Sequence, residues 1–223
     1  MSLALFDLDN TLIAGDSDHS WGEFLVEQGI VDAVEYRRRN DEFYEAYQRR
    51  ELDIMEYLEF AVQPLTQYSL PELKHLHDRF LAAKIAPIRL AKADELIAKH
   101  RVAGDKLLII TATNRFITEP IANWLGIPDI LATDLEIANN AQGEPRYTGK
   151  IIGVPCYQTG KITHLEAWLA DTGHDLRDSY FYSDSMNDLP LLEQVTYPHA
   201  VNPDDDLQAH AEAHGWPILD LRD

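Results

Sequence analysis

Cysteine, basic residues and long apolar runs are scarce in this sequence. Its 223 residues include one cysteine, Cys156, which excludes a disulfide within the chain and suits a reducing compartment. Lys and Arg number 19 against 38 Asp and Glu, which gives a formal net charge of −19. So acidic a protein is poorly suited to bind nucleic acid or an anionic membrane surface.

The sequence also lacks the patterns of membrane insertion and export. No apolar run approaches the length of a transmembrane helix, and no basic segment precedes an apolar one near Met1, as a secretory signal requires. We therefore expect a cytoplasmic protein without a membrane partner, either a monomer or a homodimer. Hydrophobic residues make up 45% and charged residues 26% of the chain, as is typical of globular proteins.

Short apolar runs alternate with segments of helical periodicity. Strands are predicted over residues 3–7, 106–111, 179–184, 197–202 and 216–219. Between them, apolar residues recur every three or four positions, and glycines such as Gly104 and Gly173 follow the helical segments. This alternation predicts an α/β protein with a doubly wound, Rossmann-like parallel sheet. Such sheets bind ligands beyond the carboxyl ends of their strands.

Two stretches interrupt the alternation. Residues 16–86 contain helical apolar faces, one of them opened by a capping-box pattern at Ser69. We predict that they form a helical cap domain inserted after the first strand of an α/β core, which comprises residues 1–15 and 87–223. Residues 134–159 are punctuated by glycine and proline and predict a small β-hairpin flap.

An acidic motif directly follows the first predicted strand. Asp7 and Asp9 lie two residues apart, and such residues point the same way in an extended chain. Two crowded carboxylates are costly unless a cation or a proton relieves their repulsion. Asp7 can attack a phosphate monoester without a base, provided that a hard cation such as Mg²⁺ offsets the repulsion between the two anions. Asp9 can then protonate the leaving oxygen and later deprotonate the attacking water.

Three later segments supply the other groups that this reaction needs. Thr111 and Ala112 follow an apolar run, with a hydroxyl and backbone N–H groups suited to phosphate oxygens. Lys161 provides one fixed positive charge for a transferring phosphoryl group. Residues 184–188 add a third acid for the metal and further polar groups. Each segment alone has an ordinary structural explanation, so the inference depends on their order along the chain.

Together these segments resemble the four motifs of the haloacid dehalogenase superfamily of phosphatases, over nearly the whole chain. The likeness is nearest to the phosphoserine-phosphatase-like branch, in which a helical cap follows the first motif and a flap precedes the lysine. It implies an Mg²⁺-dependent phosphomonoesterase that forms an aspartyl-phosphate. Asp7 would be the nucleophile and Asp9 the general acid and base. Asp7, Asp184 and the Asp9 carbonyl would bind Mg²⁺.

The resemblance also implies how the phosphoryl group is bound. Thr111 and Lys161 would hold it with the help of Asn187, and Asp188 would orient Lys161 or a metal-bound water. Thr11 and Ala112 belong to the same phosphate-binding motifs. The second acid of the first motif, Asp9, argues against dehalogenation. The sequence departs from the superfamily's pattern at Ser183, where glycine is usual.

The substrate is less closely defined by the motifs. In phosphoserine phosphatases an acid near the position of Asp16 contacts the substrate amine. Glu59 is expected where those enzymes have an arginine for the substrate carboxylate, which disfavours phosphoserine. We expect a small amine-bearing phosphomonoester. Aromatic residues of the predicted cap either face a cationic substrate or fill the cap's own core: Trp21, Phe24, Tyr36, Phe43, Tyr44, Tyr47, Tyr57 and Phe60.

Two other functions stay open at this point. A phosphotransferase or mutase would pass the phosphoryl group to an acceptor other than water. A non-catalytic module would bind a phosphorylated metabolite without turnover. The presence of Asp9 and Lys161 speaks against the second alternative, since a protein that only binds its ligand needs no general acid.

Overall fold

Seven strands form the centre of the described chain, residues 2–222 of a computed structural model. They are β1 (Leu3–Phe6), β2 (Lys106–Asn114), β3 (Ile130–Asn139), β4 (Pro145–Ile152), β5 (Tyr180–Ser183), β6 (Tyr197–Val201) and β7 (Ile218–Leu219). Their order in the sheet is β4-β3-β2-β1-β5-β6-β7. Neighbouring strands are parallel except for the antiparallel pair β3 and β4. The predicted α/β class is confirmed.

Helices connect the strands. They are α1 (Ser17–Glu27), α2 (Ala33–Gln48), α3 (Ile54–Val62), α4 (Leu70–Phe80), α5 (Ala91–Ala103), α6 (Arg115–Trp124), α7 (Thr159–Thr172), α8 (Leu189–Leu192) and α9 (Asp205–His214). Side-chain caps fix several starts, among them Asp16 before α1 and the predicted capping box of Ser69 with Glu72 before α4. Within residues 2–222, no helix is both long and apolar enough to cross a membrane.

The central strand β1 is buried on both faces, which explains its continuous apolar sequence. Ala4 and Phe6 pack into one cluster with residues of α1, α4, α5 and α6. Leu3 and Leu5 pack into a second cluster with residues of α7, α8 and α9. Helices therefore cover both faces of the sheet, as the alternation of elements predicted.

The segment between β1 and α5 contains helices α1 to α4, and these helices are packed unequally. Trp21 and Phe24 of α1 belong to the same hydrophobic cluster as Phe6 of the sheet. Helix α2 buries Asn40, whose amide donates to the His19 carbonyl at 2.9 Å. The other residues of α2 are exposed or half-buried. The division of the chain into a cap domain and a core domain stays a prediction.

The predicted flap is an extension of the sheet. The first part of β3 pairs with β2 in parallel, and the second part pairs with β4 in an antiparallel hairpin. Strand β3 begins at Ile130, four residues before the predicted flap, and its first residues are buried. The prediction missed this start, since the apolar run there is very short.

Candidate active site

The carboxyl ends of three adjacent strands bring the motif residues together. Strand β1 lies between β2 and β5, and the Asp7 N–H donates to the Tyr182 carbonyl at 2.9 Å, which extends the pairing by one residue. Asp7 follows β1, Thr111 lies on β2 and Asp184 follows β5. Parallel strands end at the same edge of a sheet, so these three residues share one side of the molecule.

Lys161 lies beneath this edge and joins two of its acids. Its side chain is 2% exposed, and its Nζ donates to Asp7 Oδ1 at 2.8 Å and to Asp188 Oδ2 at 2.7 Å. Although burial alone would lower the pKa of Lys161, the charges of Asp188 and Asp7 raise it above its ordinary value. The lysine is therefore a permanent cation in contact with Asp7.

Two neighbouring residues position this lysine. Gly160 precedes Lys161 at the start of α7, and a Cβ there would overlap the carbonyl oxygen of Pro155. The hydroxyl of Ser183 donates to Asp188 Oδ2 at 2.7 Å, so Asp188 receives two hydrogen bonds at one oxygen. The serine that replaces the superfamily's usual glycine thus takes part in the charge network of the site.

The sheet edge has more acidic side chains, among them Asp7, Asp184 and Asp188, than the single positive charge of Lys161 can balance. Burial raises the pKa of Asp7 to about 7, although Lys161 opposes the rise. Burial and then the charges of Asp7 and Asp188 raise the pKa of Asp184 well above its ordinary value. Thr11 Oγ1 lies 3.4 Å from Asp7 Oδ2 and 3.4 Å from Asp184 Oδ1. The carboxylates of Asp7 and Asp184 therefore lie on either side of one hydroxyl.

Asp9 occupies a different environment from Asp7. The Ser17 N–H donates to its Oδ1 at 2.6 Å, and the Thr113 hydroxyl donates to its Oδ2 at 2.8 Å. Burial and repulsion from Asp16 raise the pKa of Asp9 to about 7, against the effect of those hydrogen bonds. A carboxyl group with such a pKa can exchange a proton near neutral pH. The sequence motifs give no role to Ser17 or Thr113, because the contacts of these two residues depend on where α1 lies.

A divalent cation fits the donor set at this edge. Among residues 2–222, no three side chains of His, Cys, Asp or Glu converge as a metal-binding group. Mg²⁺ needs fewer, since it commonly takes one or two carboxylates and completes its shell with waters and phosphate oxygens. Asp7 and Asp184 are the two carboxylates in question; burial first, and repulsion from neighbouring acids second, raise the pKa of both.

A cavity opens between the sheet edge and the helices α1, α2 and α3. It has about 620 Å³ of space when its open mouth is included. The predicted residues Asp7, Asp9, Asp16, Thr111 and Ala112 line it. Among residues 2–222, its wall contains no Lys or Arg.

The predicted aromatic residues divide between the two expected roles. Phe43, Tyr44, Tyr47 and Tyr57 line the cavity, whereas Trp21 and Phe24 fill the hydrophobic core. Tyr36 and Phe60 stack on each other at a centroid distance of 4.3 Å. Glu59 is exposed on α3 and lies outside the cavity wall, so the expectation that it faces the substrate is wrong.

Asn187 lies next to the cavity and not in its wall. Its Oδ1 accepts from the Tyr157 hydroxyl at 3.2 Å and from Gln158 Nε2 at 3.1 Å. Its Nδ2 donates to the Tyr47 carbonyl at 3.3 Å, which connects the loop after β5 to the end of α2. Gln158 has a φ of 49°, an unfavourable value for a residue other than glycine. The phosphoryl-binding role of Asn187 stays a prediction.

Several known proteins resemble this chain over nearly its whole length. A histidinol-phosphatase of Neisseria meningitidis serogroup C (strain 8013) is 46% identical over 224 residues, which cover 99% of each chain. Phosphoserine phosphatase SerB1 of Mycobacterium tuberculosis is 30% identical over 226 residues, covering 98% of this chain and 70% of that protein.

Solved structures show the same fold. A protein of unknown function from Bordetella pertussis Tohama I superimposes with a TM-score of 0.91 at 44% identity, covering 99% of both chains. A substrate-bound phosphoserine phosphatase gives a TM-score of 0.70 at 18% identity, covering 98% of this chain and 92% of the other. The model of the haloacid dehalogenase-like hydrolases matches residues 4–193. This chain therefore belongs to the haloacid dehalogenase-like hydrolases and is a phosphatase of that family.

Proposed function

We propose that this phosphatase hydrolyses a small amine-bearing phosphomonoester with the help of Mg²⁺ and through an aspartyl-phosphate at Asp7. The observation that carries the proposal is the contact between Asp7 and Lys161 at the base of the cavity. The buried lysine lies 2.8 Å from one oxygen of a carboxylate that lines the cavity. A carboxylate held in this way is fixed in position and faces the incoming phosphorus.

The chain's own groups account for both halves of the reaction. In the first half, an oxygen of Asp7 bonds to phosphorus, the ester P–O bond breaks, and Asp9 donates its proton to the leaving alcohol. In the second half, Asp9 takes a proton from water as the water oxygen attacks phosphorus, which releases phosphate and restores the Asp7 carboxylate. Lys161 stays charged throughout and stabilises the negative charge beside Asp7.

The carboxylates of Asp7 and Asp184 and the backbone carbonyl of Asp9 would hold the Mg²⁺. When bound, the metal would neutralise charge between the phosphate dianion and Asp7 and favour the ionised form of both carboxylates. The excess of acids over Lys161 at the sheet edge supports this assignment.

The charge of the cavity wall favours a cationic substrate without a carboxylate. Among the described residues, the wall has four acids, Asp7, Asp9, Asp16 and Asp18, and no Lys or Arg that would pair with the carboxylate of phosphoserine. Histidinol phosphate carries an amine and an imidazole and has no carboxylate. The relative named histidinol-phosphatase is also more similar to this chain than the one named phosphoserine phosphatase. We therefore place histidinol phosphate first among the candidate substrates.

A panel of phosphate esters tests the proposal. Phosphate release is measured from an aryl phosphate, histidinol phosphate, phosphoserine, phosphocholine and phosphoethanolamine, before and after chelation of metal and after addition of Mg²⁺. We expect metal-dependent release with the highest kcat/KM for histidinol phosphate, and loss of all release in Asp7→Asn. Turnover by the chelated enzyme would contradict the metal assignment. Transfer of phosphate to an added alcohol without net release would indicate a phosphotransferase.

A further inference from the structure

Asp16 and Asp18 are the two carboxylates of the cavity wall that have no part in the proposed reaction. Asp18 lies in the first turn of α1, is 9% exposed and lines the cavity. Its Oδ1 is buried and has no hydrogen-bond partner among the described residues. An acid in the first turn of a helix ordinarily reaches solvent, where it interacts favourably with the helix dipole. A buried carboxylate oxygen without a hydrogen-bond partner is costly, so a ligand that donates a hydrogen bond to it would be stabilised.

Within the described part of the chain, no positively charged group acts on Asp18. Apart from burial, three groups shift the pKa of Asp18: Asp16, Tyr57 and Asp9. None of the three is positively charged. Burial and the repulsion from Asp16 and Asp9 together raise the pKa of Asp18 well above its ordinary value, although the Tyr57 hydroxyl opposes them. A positively charged ligand would relieve this repulsion and restore the ionised carboxylate.

Asp16 and Asp18 differ in the acids that act on them and in their hydrogen bonds. Asp7 contributes to the pKa shift of Asp16, whereas the charges that act on Asp18 are those of Asp16 and Asp9. One oxygen of Asp16 already accepts from the His19 N–H at 2.7 Å, in its role as helix cap. Asp18, by contrast, has one buried oxygen that accepts no hydrogen bond from the described residues.

Aromatic side chains line the cavity together with Asp18. Tyr57 and Tyr44 line the cavity with Asp18, and the Tyr44 ring lies 4.8 Å from the ring of His19, centroid to centroid. Aromatic faces attract cations and stack on flat rings. A flat, basic heterocycle that donates an N–H fits this combination of an unpaired carboxylate and aromatic walls.

We propose that Asp18 determines substrate specificity by binding a second basic nitrogen of the substrate, in addition to the amine that the resemblance to phosphoserine phosphatases assigns to Asp16. The substrate is then a phosphate ester with two basic nitrogens, one of them in a flat ring. This inference rests on the proposed function and deepens it.

The test compares Asp18→Asn with the parent on three esters that differ in nitrogen content. An aryl phosphate has no basic nitrogen, phosphoethanolamine has one, and histidinol phosphate has two. We expect kcat/KM for histidinol phosphate to fall about 30-fold, mainly through KM, because a charge-assisted hydrogen bond is lost. The kcat/KM values for the other two esters change less than about threefold, since neither reaches Asp18. Asp171→Asn, the same substitution at an exposed position of α7, leaves all three values unchanged.

Two further readouts separate this inference from the proposed function. Histidinol itself should bind the parent and bind Asp18→Asn about 30-fold more weakly by calorimetry, whether or not the enzyme turns over. The thermal midpoint of the ligand-free variant should not fall, because asparagine has nearly the same shape and the substitution removes a buried carboxyl group whose Oδ1 has no partner among the described residues. An equal loss on all three esters with a lower midpoint would show a structural role and overturn the inference. Unchanged preference for histidinol phosphate and unchanged histidinol binding would also overturn it, even where phosphatase activity is confirmed.

Discussion

The two sides of the cavity are held in different ways. On the sheet side, Asp7, Asp9 and Asp188 each accept hydrogen bonds of 2.6–2.8 Å from groups on other elements. On the helical side, Tyr44 and Tyr47 are half-buried on α2, a helix that buries Asn40. The residues proposed to carry out the reaction are therefore held by short hydrogen bonds. The leaving alcohol would face half-buried side chains of α2. We expect substitutions on the sheet side to reduce kcat for every substrate and those on the helical side to change KM selectively.

Lys161→Met should have the largest effect. The substitution leaves Asp7 and Asp188 buried without their shared cation, so we expect kcat to fall about 10³-fold on all esters and the free energy of unfolding to fall by about 3 kcal/mol. Steady-state kinetics and urea denaturation measure the two effects. The exposed Lys150 on β4 provides the control, since Lys150→Met should change neither. Parental kcat in Lys161→Met would refute the role of the lysine.

Gly160→Ala should have the next largest effect. The added Cβ overlaps the Pro155 carbonyl, so the start of α7 must shift and move Lys161 away from Asp7. We expect kcat to fall about 30-fold and stability to fall by about 2 kcal/mol. Gly143→Ala is the matched control, because Gly143 has a φ of +80° but open space around it. That variant should lose about 1 kcal/mol of stability and no activity. Equal kcat losses in both variants would contradict this explanation.

On the helical side, Tyr44→Leu should act on substrate preference. Removal of the aromatic face should raise KM for histidinol phosphate about tenfold and leave KM for the nitrogen-free glycerol phosphate unchanged. Tyr36→Leu serves for comparison, because Tyr36 stacks on Phe60 and lies outside the cavity wall. It should reduce stability without a change in KM. A fall in kcat for both esters in Tyr44→Leu would remove the proposed difference between the two sides.

Ser183→Ala should have the smallest effect. The variant loses one of two hydrogen bonds to Asp188 Oδ2, while Lys161 keeps the other. We expect kcat to fall about threefold, less than the full value of a hydrogen bond to a charged group. Ser179→Ala, at a serine whose hydroxyl donates to the Leu176 carbonyl, should leave kcat unchanged. A loss of more than about 100-fold in Ser183→Ala would give the serine a direct catalytic role.

The sequence predicted the sheet side far better than the helical side. Strand β1 and the motifs at Asp7 and Lys161 carry strong local patterns, namely an apolar run, paired acids and a fixed order along the chain. The hydrogen bonds from Ser17 and Thr113 to Asp9 carry no such pattern, because they depend on how α1 packs against β2. Asp18 is one of 38 acids in the chain, and its burial becomes visible only with Tyr57 of α3 in place.

The sequence also could not show which aromatic residues line the cavity and which pack in the core. Tyr44 and Tyr57 line the cavity and Trp21 packs in the core, yet all three lie in helices of the same segment. The start of β3 escaped prediction for a similar reason, since few apolar residues precede its polar half. Local pattern defines a strand or a motif, whereas the face that a half-buried helix presents is set by tertiary packing.

The most direct test of the account is to trap the covalent intermediate. The enzyme, with Mg²⁺ present, is mixed with slightly less than one equivalent of histidinol phosphate and quenched in acid within one turnover. It is then digested, and the peptide that contains Asp7 and Asp9 is examined by mass spectrometry. We expect one phosphoryl group on Asp7, which forms and decays at rates that match turnover and which Asp7→Asn does not form. Phosphate release at the full rate with an unmodified peptide, or a phosphoryl group on Asp9, would contradict it.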